Sequence, residues 1–323
     1  MNLLGAAASA AGAPGILVPV VLCAAFLHAC WNAILKAIPE KLTASLLMTV
    51  SSGVLAGIGL FFVPVPARAS WVLLLVSAAL HVGYFLMLVK TFEIGDFNQV
   101  YPLARGLSPV VVAGFATLLG DPMSRHQTLG IAVVCGGLAT LVFSAGRPRH
   151  TQGKALFWAA MTGVSIAVYT VTDGVAVRHS GSAAGYTAWM MFAESSMMTT
   201  ACVAIMMWRG RAVGTVAGAE TETGALAATG TRAGTAGLRT TLGALSRGDV
   251  ARGVLAGALS LSAYGLVLWA QTRGALAAVS ALRETSVIFG AALGSVFLRE
   301  PFGRYRILAA VTIASGILIL EAA

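Results

Sequence analysis

Ten stretches of about 20 mostly apolar residues follow one another along this chain. They lie near residues 16 to 37, 42 to 63, 71 to 90, 97 to 119, 127 to 145, 154 to 177, 184 to 207, 251 to 272, 275 to 297 and 304 to 320. A helix rises about 1.5 Å per residue, so about 20 residues cross the roughly 30 Å of hydrocarbon in a bilayer. Apolar residues make up 58% of the 323-residue chain and charged ones 10%, well below the charged share of soluble domains. The pattern predicts an all-α integral membrane protein with about ten transmembrane helices, antiparallel to their neighbours because most connections are short. A transmembrane barrel needs short segments of alternating polarity, and none occurs.

The chain also repeats itself. A gapless offset of 179 residues pairs Leu80 with Leu259, Gly95 with Gly274, Val100 with Val279, Leu103 with Leu282, Leu119 with Leu298, Pro122 with Pro301, Arg125 with Arg304 and Gly137 with Gly316. Asp121 precedes Pro122 as Glu300 precedes Pro301. The first helices of the two halves pair best at an offset of about 141, matching Asn32 with Asp173. The difference, 38 residues, is inserted between the seventh and eighth spans. Two related halves are therefore expected, residues 1–150 and 151–323, an arrangement common in carriers. The insertion, roughly 208–250, contains GALAATGTRAGTAGLRTTLGALSRG, which has little to bury and reads as a mobile basic linker, with a lipid-headgroup contact as the alternative.

A net charge of +9 would point to nucleic acid in a soluble protein, but here the basic residues stand at helix ends, so no nucleic-acid partner is expected. Apart from Arg68, Arg125, Arg178, Arg273 and two in-span arginines, every Lys and Arg falls in an odd-numbered connection, which by the positive-inside bias places both termini outside. The first fifteen residues hold no Lys or Arg and make a poor signal peptide. Cys23, Cys30, Cys135 and Cys202 lie inside spans without paired spacing, so neither disulfides nor a metal site is indicated. The 12 acidic residues show no metal or acid/base spacing within a span, and GxSxG and HExxH are absent. An enzyme and a cofactor are not expected. A channel would favour rings of like charge, which are not visible either.

Ionisable groups inside spans cost about 2.5 to 3.5 kcal/mol each on insertion scales, so those present call for a reason. In the fourth span Tyr101, Arg105 and Ser108 share a helical face. Their repeat mates are Ser280, Glu284 and Val287, so Arg105 occupies in one half the position of Glu284 in the other, with Arg283 adjacent. Two readings stay open: a structural ion pair joining the halves, or a central site where Arg105 or Arg283 holds an anionic group and Glu284 exchanges a proton. Pro102 and Pro109 remove amide donors from the same span and predict a kink or break that serves gating. His28, Trp31 and Asn32 in the first span, His81 and Tyr84 in the third, and Tyr264 in the eighth are further candidates to bind a small polar ligand. Glu194 is a second candidate for ion coupling. Tyr169 in the sixth span is a further candidate, and Asp173 beside it ranks lower because it lies near a helix end where water is expected. The GxxxG pairs Gly53/Gly57 and Gly290/Gly294 predict close helix packing.

Residues 27–36 (LHACWNAILK), 100–122 (VYPLARGLSPVVVAGFATLLGDP) and 281–301 (ALRETSVIFGAALGSVFLREP) together resemble the EamA-like family of the drug/metabolite transporter superfamily. The resemblance covers nearly the whole chain apart from the long loop, with Asp121 where the family usually has Glu. It implies two inverted five-helix repeats around a central site in the cell (plasma) membrane, and alternating access. It also implies cytoplasmic termini, opposite to the charge bias. Many members export amino acids or other metabolites, and some are linked with phosphonate use. The expected function is efflux of a small polar metabolite, anionic or zwitterionic to suit Arg105 and Arg283, with protons and membrane lipid as the other partners. The alternative is multidrug efflux of cationic compounds at Glu194 or Glu284.

Overall fold

The computed structural model describes residues 14–36, 38, 41–94, 97–120, 123–144, 153–218, 245–298 and 304–321. Helix is the only regular secondary structure among them. The helices are α1 (Pro14–Lys36), α2 (Lys41–Gly59), α3 (Trp71–Ile94), α4 (Phe97–Leu118), α5 (Arg125–Ser144), α6 (Gly153–Arg178), α7 (Ala183–Gly218), α8 (Arg247–Gln271), α9 (Leu276–Arg283), α10 (Ser286–Leu298) and α11 (Arg304–Glu321). A single 3₁₀ turn, Arg68–Ser70, leads into α3. Five segments are long and apolar enough to cross a membrane: Ile16–Leu35, Arg68–Leu88, Gly153–Arg178, Ala183–Trp208 and Arg247–Gln271.

Local chemistry sets the helix ends. Ser246 starts α8 with a capping box: its hydroxyl accepts from the Asp249 amide at 3.1 Å while the Asp249 carboxylate accepts from the Ser246 amide at 3.3 Å. Ser124 and Gln127 do the same for α5, at 3.1 and 2.9 Å. Ser182 caps α7 by accepting from the Gly185 amide at 3.0 Å. The turn from α6 into that cap needs Gly181, whose φ of 75° lies in the left-handed region. α7 runs to Gly218, well past the expected end near 207. Gly210 and Gly214 each cost a helix only about 1 kcal/mol, and α7 continues through both. The remainder of the basic linker, 219–244, lies outside the described residues.

The largest departure from expectation is in the ninth span, which is two helices, α9 and α10, separated at Glu284–Thr285. The turn tightens rather than opens. Amides of Glu284, Thr285, Val287 and Ile288 each bond the carbonyl three residues back, at 2.9 to 3.1 Å. The Thr285 hydroxyl adds a bond to the Leu282 carbonyl at 2.8 Å. Short 3₁₀ stretches inside helices mark hinges. α4, where two prolines predict a kink or break, is not broken: it continues as helix through both Pro102 and Pro109. Proline removes one donor, but neighbouring helices resupply the backbone in a packed bundle.

α9 is buried on all sides and lies at the centre, its Leu276, Val279 and Leu282 in one apolar core with Val21 of α1, Val112 of α4, Leu138 of α5, Val171 of α6 and Ile313 of α11. The dominant pairings are α5 with α11, α1 with α8, α3 with α6, α4 with α6, α2 with α7, α2 with α8, α4 with α5, α3 with α7, and α1 with α9 and α10. Glycines permit the closest of these. A β-carbon on Gly53 would stand 2.9 Å from Ser195 Cβ and one on Gly57 3.3 Å from the Phe192 ring, so this GxxxG seats α2 on α7. Gly290 faces open space and does no such work. The outside of the bundle is strongly apolar, with Phe61 88%, Phe62 81%, Val296 72% and Val72 71% exposed.

Candidate functional site

Arg105 enters the centre from α4 and meets the α9–α10 junction. Its Nε stands 2.5 Å from Glu284 Oε2, and its Nη2 donates to the Ser286 hydroxyl at 2.8 Å. Arg283, the last residue of α9, brings Nη2 to 3.8 Å from the other Glu284 oxygen and donates a long bond to Thr170 of α6 at 3.5 Å. These groups are shut off from solvent: Glu284 is fully buried, Arg105 4% exposed and Arg283 5%. Two guanidinium groups share one carboxylate. Around them the hydroxyls of Ser108 and Ser280 and Nε of Arg283 have no hydrogen-bond partner among the described residues, although all are buried. Unpaired buried polar atoms cost about 1–3 kcal/mol each and are rare in native folds without a functional reason.

A second polar network adjoins the first. The Arg283 guanidinium lies 5.9 Å from the centre of the Tyr169 ring of α6, and the His81 ring of α3 packs on the same Tyr169 at 3.9 Å. Tyr84 meets the same ring edge-on at 5.6 Å. His81 Nδ1 faces the Ser77 carbonyl at 2.9 Å, and its Nε2 lies 3.3 Å from the Tyr264 hydroxyl of α8. That hydroxyl donates to Asp173 Oδ2, while Tyr186 of α7 donates to Asp173 Oδ1 at 2.7 Å. Asp173 is therefore not the water-reached residue expected from its place near the end of α6. It is fully buried. The C-terminal half of α6 lies against α8 and under the start of α7, and two tyrosines replace the water. Glu194 of α7 is half-buried and within electrostatic reach of both His81 and Asp173.

The sequence candidates are thus divided. Arg105, Arg283 and Glu284 meet; His81, Tyr84 and Tyr264 meet in the adjoining network. His28 of α1 is half-buried and feels the charges of both Arg105 and Arg283, and its ring contacts Trp31 edge-on at 4.8 Å. Asn32 is exposed and donates back to the His28 carbonyl at 2.8 Å, away from the centre. Pro102 and Pro109 are buried in α4 on either side of Arg105. The side chain of Tyr101 lies outside the described residues. Tyr186, Thr170 and Ser286 were missed by sequence reasoning. Ser286 follows Glu284 by two residues and was legible as polar inside a span. Tyr186 had no such signal, because its partner Asp173 lies across a helix connection.

Two cavities lie elsewhere. One of about 470 Å³ is lined by residues of α1, α2, α7 and α8, including Thr187, Leu261 and Trp269. The other, about 410 Å³, lies where the α6–α7 and α8–α9 turns meet, beside Arg178 and Arg273. The central arginines line neither, so the site is closed to both.

No family model matches the chain, and no curated protein matches it. Its fold is shared: 27 chains among solved structures match it. One, described as "Crystal structure of protein", superposes with a TM-score of 0.63 over 95% of both chains at 14% identity. At that identity the likeness concerns the fold alone.

Proposed function

We propose that this protein is a secondary transporter in the cell membrane that moves a small polar metabolite outward by alternating access. The cargo class is an amino acid or a similar organic anion or zwitterion. The observation that carries the reading is that Arg105 and Arg283 share one carboxylate in a closed site. A local excess of positive charge away from water calls for an anionic partner, and a carboxylate or phosphonate suits a guanidinium fork. The unpartnered hydroxyls of Ser108 and Ser280 supply the neutral hydrogen bonds a polar cargo needs.

Two further facts support a carrier of two inverted halves. Exchanging each helix of the first five with its counterpart five spans later returns most of the same pairings, the exception being α4 with α5, whose counterparts α10 and α11 touch only slightly. The α1–α8 pair becomes α6–α3, α4–α6 becomes the contact of α9 and α10 with α1, and α2–α7 and α5–α11 map onto themselves. Single contacts obey the same exchange. A β-carbon on Gly137 would meet Ile313 at 2.6 Å, and one on Gly316 would meet Val134 at 2.7 Å. Those four residues are two mated pairs at the offset of 179. Arg105 and Glu284, themselves mates, pair directly, as expected of residues near a two-fold axis in the membrane plane. The apolar outer face is the surface such a bundle shows to lipid.

The experiment is thermal unfolding of the purified, detergent-solubilised protein with amino acids, phosphonates, sugars, nucleosides and cationic dyes in turn. A ligand at one hundred times its Kd stabilises by about 2.7 kcal/mol. Stabilisation by an anionic or zwitterionic compound that disappears in Arg105→Ala is the expected result. Stabilisation by dyes that depends on Glu194 or Glu284 would replace this reading with multidrug efflux.

A further inference from the structure

Hydrogen bonding around His81 constrains where protons sit. A carbonyl only accepts, so the 2.9 Å contact with the Ser77 carbonyl places a hydrogen on Nδ1. Nε2 faces the Tyr264 oxygen, and Tyr264 has a single proton to give. Asp173 receives two hydroxyls, one on each oxygen: Tyr186 on Oδ1 and Tyr264 on Oδ2. With the Tyr264 proton directed at Asp173, the 3.3 Å contact to His81 is satisfied only if Nε2 also bears a hydrogen. The alternative arrangement satisfies the same four contacts with the protons reversed. Asp173 carries a proton on Oδ2 and donates to Tyr264, which donates to a bare Nε2.

We propose that His81, Tyr264 and Asp173 form a relay that holds one mobile proton, a binding site separate from the Arg105–Glu284 centre. Transfer in one direction breaks the His81 Nε2–H bond and forms an O–H bond on Tyr264. The original Tyr264 proton passes to Asp173 Oδ2. The number of protons is unchanged, an imidazolium and a carboxylate become a neutral ring and a neutral acid, and no heavy atom has to move. Asp173 is fully buried and His81 6% exposed, so water does not compete for the proton. Tyr186 keeps its bond to Oδ1 in both arrangements and holds the carboxyl in place.

The charged and titratable groups facing the relay come from every packed helix: Tyr84 on the His81 helix, Tyr169 on α6, Tyr186 and Glu194 on α7, and Arg283 on α9 across Tyr169. Tyr169 links the two sites. His81 and Arg283 both pack against its ring, at 3.9 and 5.9 Å, so a charge appearing on His81 is felt at the arginine. Engagement of this proton in transport rests on the transporter reading above; the relay itself does not.

The test is 15N NMR of the full-length protein in lipid nanodiscs with labelled histidine, titrated with pH alone. His81 is one of 5 histidines and is assigned by the signal lost in His81→Gln. In the wild type, Nδ1 stays protonated while the Nε2 shift lies between those of bare and protonated nitrogen. Asp173→Asn is expected to move Nε2 to the bare value over the same pH range. Tyr264→Phe removes the middle link and keeps both ends, and is expected to abolish the intermediate value. Variants are compared only where their melting temperature matches the wild type, and Tyr264→Phe carries the test if Asp173→Asn fails to fold. A His81 signal that neither substitution alters, or a bare Nε2 throughout in the wild type, overturns the relay. That outcome leaves the arginine site standing, whereas absence of ligand stabilisation at Arg105 would remove the transporter reading and leave the relay intact.

Discussion

Arg105 and Glu284 lie 179 positions apart in sequence and 2.5 Å apart in space, each without access to water. Removing one member of a buried pair leaves an uncompensated charge and costs about 3–5 kcal/mol, whereas removing both costs far less. Arg105→Ala and Glu284→Gln should each lower the melting temperature markedly, and the double variant should recover much of the loss. A double-mutant cycle by thermal unfolding measures the coupling. Additive losses would show that the pair does not bind the halves together. The ion pair was one of two readings left open by the sequence, and the geometry admits both, since an anionic cargo, if one binds there, would compete with Glu284 for the same guanidinium groups. Asp173 was misjudged because distance from a helix end is a poor guide to water when another helix covers that end.

At the scale of elements, the end of α8 is tied to α6 by Arg178. Its Nε donates to the Gln271 carbonyl at 2.8 Å and its Nη2 to the Gly274 carbonyl at 2.7 Å. These carbonyls belong to the last turn of α8 and the connection after it, where intrahelical donors run out. Charged hydrogen bonds contribute about 1.5–3 kcal/mol each, so Arg178→Ala should destabilise the fold by a few kcal/mol while Arg178→Lys, with a single point charge, recovers only part. Thermal unfolding compares the two. Ser246→Ala, which breaks the capping box of α8, should cost about 1 kcal/mol and speed amide exchange in the first turn of α8 alone. Most helix limits were legible because they rest on such local signals. The division of the ninth span was not. Its tight turn places Glu284 toward Arg105, a requirement set by the facing helix rather than by proline, and α4 shows that two prolines in a packed helix need not end it.

For the whole molecule, α5 and α11 cross at their glycines, each supplying a backbone surface for the other. A β-carbon on Gly316 would stand 2.9 Å from the Gly130 carbonyl oxygen, and one on Gly137 3.2 Å from that of Ala309. Gly137→Leu and Gly316→Leu should each overpack the crossing and cost about 1–3 kcal/mol or more, by similar amounts if the two halves are equivalent. Unequal losses in thermal unfolding would argue against that equivalence. What the sequence determined alone is an all-helical chain with apolar spans, its helix ends, its internal repetition and the small set of polar residues inside spans. Each follows from neighbours within a few positions or from comparison of the chain with itself. Which polar residues meet was decided only by the tertiary structure. His81, Asp173 and Tyr264 come from three helices, with 183 residues separating His81 from Tyr264 and 91 separating Asp173 from Tyr264. No periodicity reports such a meeting, because it depends on how glycine contacts set the distance between helices and on which face each helix turns inward.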